Sequence, residues 1–493
     1  MTGYSTGVLA AFILYLIGMM LIGVIYYRKT HSMSEYILGG RQLGAWVTSM
    51  SAEASDMSGW MLMGLPGFAY SSGLQAGWIA LGLILGTWAN WVFVAKRLRK
   101  YTQIANDSLT LPDYFQNRFR DTSQTLRIVS AIFILIFFLI YTSSGFVAGG
   151  KLFHTVFGIP YAWAMVVGAF VIVFYTFLGG FMAVCWTDFV QGVMMFFAIL
   201  VVPIAAMMLI GGPAATYNTL HTLNSELFNP FTNPDGKPLS IVAIVSLLAW
   251  GLGYFGQPHI LVRFMAIRSS AEIKHATRIA MTWVVLSLAA AVLVGMVGRV
   301  YLKQPLTGAD VETVFLVMAN DLFSSFFAGV VLSAVLAAIM STASSQLLVT
   351  ASAFSQDFYK ALIRPTASEH ELVWISRLTV VAVTALGVLL GLDPNNFILD
   401  LVAYAWAGFG AAFGPMILMS LFWKRMTRNG ALAGIIVGGL TVLIWKQFAW
   451  LGLYEIVPGF AFSLLAIYIV SLLDDPPAQE IMDEFEKVNN SDI

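Results

Sequence analysis

Ala52-Glu53-Ala54-Ser55-Asp56-Met57-Ser58-Gly59-Trp60, followed by Gly64-Leu65-Pro66-Gly67, lies inside a stretch from Trp46 to Tyr70 that is apolar enough to span a bilayer. Two carboxylates therefore sit where hydrocarbon is expected. An Asp at the centre of a membrane helix costs about 3 kcal/mol on insertion scales, so such a residue faces a partner, a cavity or an ion. The small residues and the Gly-Leu-Pro-Gly run predict an interrupted helix, which is tolerated at membrane depth only where the freed backbone lines a cavity. Together they point to an ion site.

Of the 493 residues, 59% are hydrophobic and 11% charged, against about 45–50% apolar in a soluble domain, and mean hydropathy is +0.80. This is the composition of an all-α polytopic protein embedded in a lipid bilayer. The 26 basic and 26 acidic residues cancel, leaving no electrostatic footprint for nucleic acid. Cys185 is the sole cysteine, and His31, His154, His221, His259, His275 and His370 are scattered without HExxH or CxxC spacing, so the chemistry of a metalloenzyme is not visible. The chain is not expected to be an enzyme. No TVGYG-type run suggests a channel filter.

At about 20 apolar residues per span, thirteen spans are expected: 8–27, 45–70, 74–95, 128–150, 162–184, 187–211, 239–258, 279–300, 322–355, 374–392, 396–423, 429–446 and 451–473. The first is too long for a signal-peptide core and precedes Arg28-Lys29, so it reads as a retained span. With the N-terminus outside, the outer segments hold only Lys151, Lys237, Arg299, Lys303 and Lys446, and the other 21 of 26 basic residues, Arg263 among them, fall inside. That asymmetry predicts an outer N-terminus and a cytoplasmic C-terminus. The outer loop 211–239 reads as an ordered connector or a short lid, and the acidic tail from Asp474 as solvated.

A second interrupted span is expected at Trp250-Gly251-Leu252-Gly253-Tyr254-Phe255-Gly256-Gln257-Pro258-His259. Paired broken spans point to a binding site at the interface of two inverted repeats. Spans 2 and 7 are five apart, which divides the chain into 1–44 (first peripheral span and inner loop), 45–211 (first repeat, spans 2–6), 212–423 (outer loop and second repeat, spans 7–11), 424–473 (peripheral spans 12 and 13) and the tail 474–493. The core is then a five-plus-five inverted repeat.

A desolvated monovalent cation needs about five or six oxygens. In span nine, the Ala338 carbonyl and the Ser341 and Thr342 hydroxyls fall at i, i+3 and i+4, on one helix face. An isolated Ser-Thr pair often only bonds back to the i−4 carbonyl; opposite a broken, Asp-bearing segment, a ligand role is favoured. The carbonyls of Ala54 and Met57 join them if the helix unwinds there, with Asp56 a ligand or the source of the local field. Ser58, Gly59, Trp60, Tyr141, Trp250, Tyr254, Gln257 and Pro258 are the candidates for holding a substrate with a small apolar ring, its carboxylate meeting backbone N–H groups of the half-helix beyond Ser58. Glu53 has two readings: an ion-site residue, or a carboxylate near the inner mouth that water reaches or Arg41 pairs. Asp188, in Cys185-Trp186-Thr187-Asp188, is either part of an inner gate with the basic loops or a solvated cap.

These stretches, with Tyr36-Ile-Leu-Gly-Gly-Arg41, Met340-Ser-Thr342, the run Ala403 to Gly414 and Met426-Thr-Arg-Asn-Gly430, resemble the sodium/solute symporter family, its bacterial sodium/proline branch in particular, from the first span to about residue 473. The resemblance implies thirteen spans with a leucine-transporter-like core, and Na+-coupled symport of L-proline across the bacterial plasma (inner) membrane, with Na+ as coupling ion; the sequence leaves the oligomeric state open, a monomer being sufficient for such a function. It places Asp56 at Na+ coupling; Ser341, Thr342 and the Ala54, Met57 and Ala338 carbonyls around the ion; Trp250, Tyr254, Pro258 and Tyr141 at proline; and Arg41 and Ser58 as modulators of Na+ use. Glu53 stands where the family carries a small residue. Another small amino acid, an osmolyte or a carboxylate is the alternative cargo.

Overall fold

The computed structural model describes residues 6–27, 33–178 and 180–490, all helices, turns and loops without a β-strand among them. Arg28, Lys29 and His31 lie outside the described residues. α1 (Thr6–Tyr27) is followed by a broken span: α2 (Ala45–Asp56), an irregular link at Met57–Gly59, a wide π-helical turn at Trp60–Gly64, and α3 (Leu65–Ser72). Gly73, at φ 64° and ψ −141°, turns the chain into α4 (Gly77–Ala89), which runs through a π-turn at Asn90–Ala95 into α5 (Lys96–Ile104). Then come α6 (Thr125–Phe157), α7 (Tyr161–Leu178) and α8 (Phe181–Ile210). The second broken span is α9 (Ile241–Leu248), a 3-10 segment Ala249–Gly256 and α10 (Pro258–Ala266), bent by 45°. α11 (Ile273–Tyr301), α12 (Ser325–Ser352, prolonged by π-helix Ala353–Ile363), α13 (Glu369–Leu390), α14 (Ile398–Phe422), α15 (Arg428–Phe448), α16 (Ile456–Leu473) and α17 (Gln479–Asn490) complete the chain.

Ten helices among the described residues are long and apolar enough to cross a membrane, eleven with the bent pair. One of them, Trp60–Ile104, is 45 residues long, about twice what a bilayer needs, and Gly73 divides it. Counting its two parts separately and adding α7 gives the thirteen expected spans.

The first break differs from its expected place. Gly64-Leu65-Pro66-Gly67 is helical: Pro66 directly follows the wide π-turn Trp60–Gly64 in a helix that runs on from Trp60, and a local π adjustment is how a membrane helix accommodates a Pro. Gly67 instead admits a neighbouring chain: a Cβ there would lie 2.8 Å from Glu312 Cα. The helix comes apart upstream, at Met57 (ψ 79°). The second break falls where it was expected. Gln257 is extended at φ −79°, ψ 107°, and Pro258 restarts the helix.

Backbone-to-backbone packing holds the broken spans in the core. A Cβ on Gly86 of α4 would lie 2.2 Å from the Gly251 carbonyl, and one turn further on, Asn90 Nδ2 donates to the Tyr254 carbonyl at 3.1 Å. Small residues at this spacing let membrane helices approach closely. At the basic end of the bundle, the chain entering α2 is clasped to the chain leaving α10: Leu43 N donates to Ala266 O (3.2 Å) and Arg268 N to Leu43 O (2.8 Å).

Two connecting regions also take definite form. The 211–239 loop is an ordered connector with a helix at Pro213–Leu223, anchored by Trp78 Nε1 donating to Pro230 O at 2.7 Å. The tail is not simply solvated: α17 buries Ile481, Phe485 and Val488, Phe485 lying against Tyr101 of α5 with Arg118 above its ring. Its apolar residues recur at helical spacing, which a net acidic composition conceals.

Gly86→Val should prevent α4 from seating on the second broken span, since rigid backbone stands where its side chain would go. The expected result is a loss of roughly 3 kcal/mol or more, read as a fall in melting temperature or in folded yield in detergent.

Candidate functional site

Unwinding after Asp56 releases backbone acceptors in the middle of the bundle. Met57 N still bonds the Glu53 carbonyl (2.8 Å), but Ser58 N turns back to Asp56 O (2.9 Å), so the Ala54 carbonyl loses its i+4 helical donor. It accepts instead from Ser341 Oγ at 2.7 Å and Thr342 Oγ1 at 3.3 Å, both on α12. Ser341 Oγ also reaches the Ala338 carbonyl at 3.2 Å. Two carbonyl and two hydroxyl oxygens thus converge in a fully buried place between α2 and α12. Met57, in the break itself, is equally buried.

Asp56 turns its carboxylate toward the second broken span. Tyr254 Oη donates to Asp56 Oδ2 at 2.7 Å, while the Asp56 carbonyl accepts from Trp60 Nε1 (3.0 Å) and Tyr141 Oη (3.5 Å). Asp56 Oδ1 is a buried acceptor with no hydrogen-bond partner among the described residues. Around it stand Trp60, whose ring centroid is 6.4 Å from that of Trp250, and Tyr254, edge-on to Trp406 at 5.0 Å. Trp406 Nε1 holds the Trp250 carbonyl at 2.7 Å. Gln257 Nε2 donates to Gly253 O and Trp406 O, which leaves Gln257 Oε1 buried and unpartnered. Ser58 Oγ accepts from Trp60 N at 3.3 Å. Gly59 packs so tightly that a Cβ would lie 2.7 Å from Ala148 Cβ. The structure therefore gathers Ser58, Gly59, Trp60, Tyr141, Trp250, Tyr254 and Gln257 around the two breaks. Pro258 lies on the far side of the second break, in the wall of a cavity with Val262, Leu348 and Asp357.

For Glu53 and Asp188 the structure removes one of the two sequence readings. Glu53 is not paired with Arg41 and not open to water: it is 2% exposed and accepts from Trp91 Nε1 at 2.9 Å. Arg41 instead bonds Asp107 (2.8 Å), the Met265 carbonyl (2.6 Å) and the Ser108 carbonyl (2.8 Å), bracing the clasp where α10 ends; burial pulls its guanidinium below the usual value, with Asp107 opposing. Asp188 is no solvated cap. It is wholly buried, accepting from Ser51 Oγ at 2.7 Å and paired with Arg263 Nη2 at 3.2 Å.

Arg263 is the main residue the sequence reading missed, having been counted with the cations of an inner loop. On α10 it is also buried, donating to Ser51 Oγ (3.1 Å), Ser345 Oγ (2.6 Å) and the His259 carbonyl (2.7 Å). It ties α2, α8, α10 and α12 together one turn from the oxygen cluster. Its spacing of four residues from His259, inside an apolar run, was the available signal. Lys151 was likewise counted as an outer-loop charge and is buried, paired with Glu312 at 2.7 Å; Glu312 in turn accepts from the Ile398 and Leu399 backbone N–H groups at the start of α14. Removing one partner of a buried pair strands the other, at about 3–5 kcal/mol. Arg263→Met should therefore lower thermal stability more than the double replacement Arg263→Met with Asp188→Asn, a difference read directly from paired melting curves.

The model of the sodium:solute symporter family matches residues 36–438. The chain is 51% identical over 490 residues to the sodium/proline symporter of Salmonella typhimurium, covering 98% of this chain and 97% of that one. It is 52% identical over 470 residues to the high-affinity proline transporter PutP of Bacillus subtilis, covering 95% and 98%. Among solved structures, a Na+-coupled sialic acid symporter in a substrate-bound outward-open state superposes with a TM-score of 0.78 at 20% identity, over 96% of this chain and 99% of that one, a likeness of fold. With a family match over most of its length and relatives at about half identity, the chain belongs to the sodium:solute symporter family.

Proposed function

We propose that the protein couples the inward movement of Na+ to uptake of L-proline across a bacterial plasma membrane, with its N-terminus outside and its C-terminus in the cytoplasm. The observation that carries this reading is the meeting of Ser341 with the Ala54 and Ala338 carbonyls, at 2.7 and 3.2 Å. With Thr342, these four neutral oxygens form a ligand set suited to a small monovalent cation, and the Met57 carbonyl, in the break itself, is the fifth ligand of this reading. Asp56 supplies the nearby negative charge that makes cation entry favourable, while its carboxylate is held by Tyr254. Arg41, Glu53 and Asp188 shape the inner end of the same helices rather than ligating.

For the substrate, the unpartnered acceptors Asp56 Oδ1 and Gln257 Oε1 suit the two N–H donors of a secondary ammonium, and Trp60, Tyr141, Trp250 and Tyr254 suit an apolar ring. The relatives named for proline transport support the choice of proline over other small zwitterions. Because Asp56 bonds Tyr254 across the two broken spans, a cation on the α2 side biases the substrate side through one hydrogen bond. A tenfold Na+ gradient is worth about 1.4 kcal/mol and a 100 mV potential roughly 2.3 kcal/mol per charge. One Na+ then concentrates a net-neutral zwitterion roughly 500-fold.

Asp56→Asn should abolish Na+-stimulated proline uptake in proteoliposomes, and full stimulation in that variant would sink the assignment. Ser341→Ala should raise the Na+ concentration for half-maximal uptake at least tenfold, the loss of about 1.4 kcal/mol of ligand energy. Competition of labelled proline by hydroxyproline, betaine and sugars tests the cargo; equal inhibition by betaine would favour an osmolyte carrier.

A further inference from the structure

Pro258 and Val262, on the first turns after the second helix break, form the upper wall of a narrow apolar cavity that descends to Thr110 and Asp357. A second cavity begins where the first ends: it shares Ile37, Leu109 and Thr110 and continues past Asp113, Arg127 and Lys360. Their linings run from the substrate-side break to the basic end of the bundle, and the upper cavity, at about 30 Å³, has to widen to pass an amino acid. One ion pair stands between them. Arg127 Nε is 2.6 Å from Asp357 Oδ1; Thr110 Oγ1 donates to both Asp357 oxygens at 3.2 and 3.3 Å; and Arg127 also reaches Gln116 Oε1 at 3.2 Å and Asp113 at 3.5 Å. Asp357 is fully buried, whereas Arg127 is 21% exposed. Asp357 lies on the π-helical stretch Ala353–Ile363, a looser winding than the α-helix that recurs at functional sites, and Arg127 on the first turn of α6.

We propose that Arg127 and Asp357 form an exit subsite for a zwitterionic amino acid on its way to the cytoplasm, an inference that rests on the inward-transport reading above. A guanidinium takes a carboxylate through two parallel N–H bonds, and the Asp357 carboxylate takes an ammonium. A zwitterion arriving from the apolar cavity replaces each partner of the pair with its own opposite charge, so the pair opens without leaving either charge bare and net charge in the passage stays constant. A solute with only one charge frees one partner and strands the other. The Ile37, Leu109 and Leu348 side chains above accept the apolar ring during the passage.

The test uses Val349→Cys in the full-length protein, since Val349 lines the upper cavity and is only half-buried, and the native Cys185 is buried. A membrane-impermeant maleimide is applied from each face of oriented proteoliposomes in Na+-free medium, so that the coupled site is unloaded. Labelling should proceed from the cytoplasmic face. L-proline should slow it about threefold at twice the subsite Kd, as mass action requires, whereas prolinamide and N-acetylproline, each carrying a single charge, should not. Adding Asp357→Asn or Arg127→Gln should remove the protection by proline, and Arg127→Lys should retain part of it. Labelling only from the outer face, equal protection by the singly charged analogues, or protection that survives both charge-removing variants would overturn the proposal. The analogue comparison needs neither charge variant, so misfolding of those variants leaves it decisive. Failure of the transport reading would show separately, as absent Na+-dependent proline uptake by the unmodified protein.

Discussion

The Ala54 carbonyl, without a helical donor because α2 ends two residues later, is the constraint on which the rest of the structure turns. In hydrocarbon an unpaired backbone acceptor costs several kcal/mol, so a helix can stop at membrane depth only if something else meets its last carbonyls. Ser341 and Thr342 of α12 do so. That requirement brings the first and second halves of the chain into register at one point, and the same oxygens that repair the break are those a cation can use. Structural repair and the proposed ion site are one feature.

Burial of charge follows a similar logic around this point. Asp56 and Glu53, a single helical turn apart, are held by neutral donors, a phenol and an indole. Asp188, one helix away, is held by a guanidinium. A neutral donor leaves the carboxylate's charge available to a mobile cation, whereas a fixed guanidinium cancels it. The core thus holds two kinds of carboxylate: Asp56 and Glu53, bonded to neutral donors, and others such as Asp188, Glu312 and Asp357, each paired with a fixed cation. The clasp of Leu43 with Ala266 and Arg268 and the Lys151–Glu312 pair close the basic end and the opposite end of the same broken spans, the two places where alternating access has to open.

Much of this was legible in the chain. Carboxylates in an apolar span can have few explanations, and Ser341 and Thr342 at helical spacing from Ala338 present oxygens on one face whatever the surroundings. Paired broken spans five apart foretold the core. What escaped the sequence reading was partnership. Arg263 and Lys151 near span ends look like loop charges, because hydropathy reports a residue's type and not what it meets. The Gly-Leu-Pro-Gly run looks like the break itself, yet a π-turn carries the helix past Pro66 and Gly67 serves the approach of Glu312. The tail's acidic composition hid an apolar strip that finds α5.

The sequence by itself determined that this is a many-span membrane protein with two interrupted helices and ion-competent oxygens on a third, since these follow from composition, spacing and the cost of charge in lipid. Only the tertiary structure decided which oxygen each carboxylate faces, and so divided the opening stretch into two parts. Asp56 joins the second break through Tyr254, and Glu53 turns away to Trp91. The physical reason is that a hydrogen bond is fixed over a few tenths of an ångström by helices far apart in the chain, a distance that no local pattern encodes.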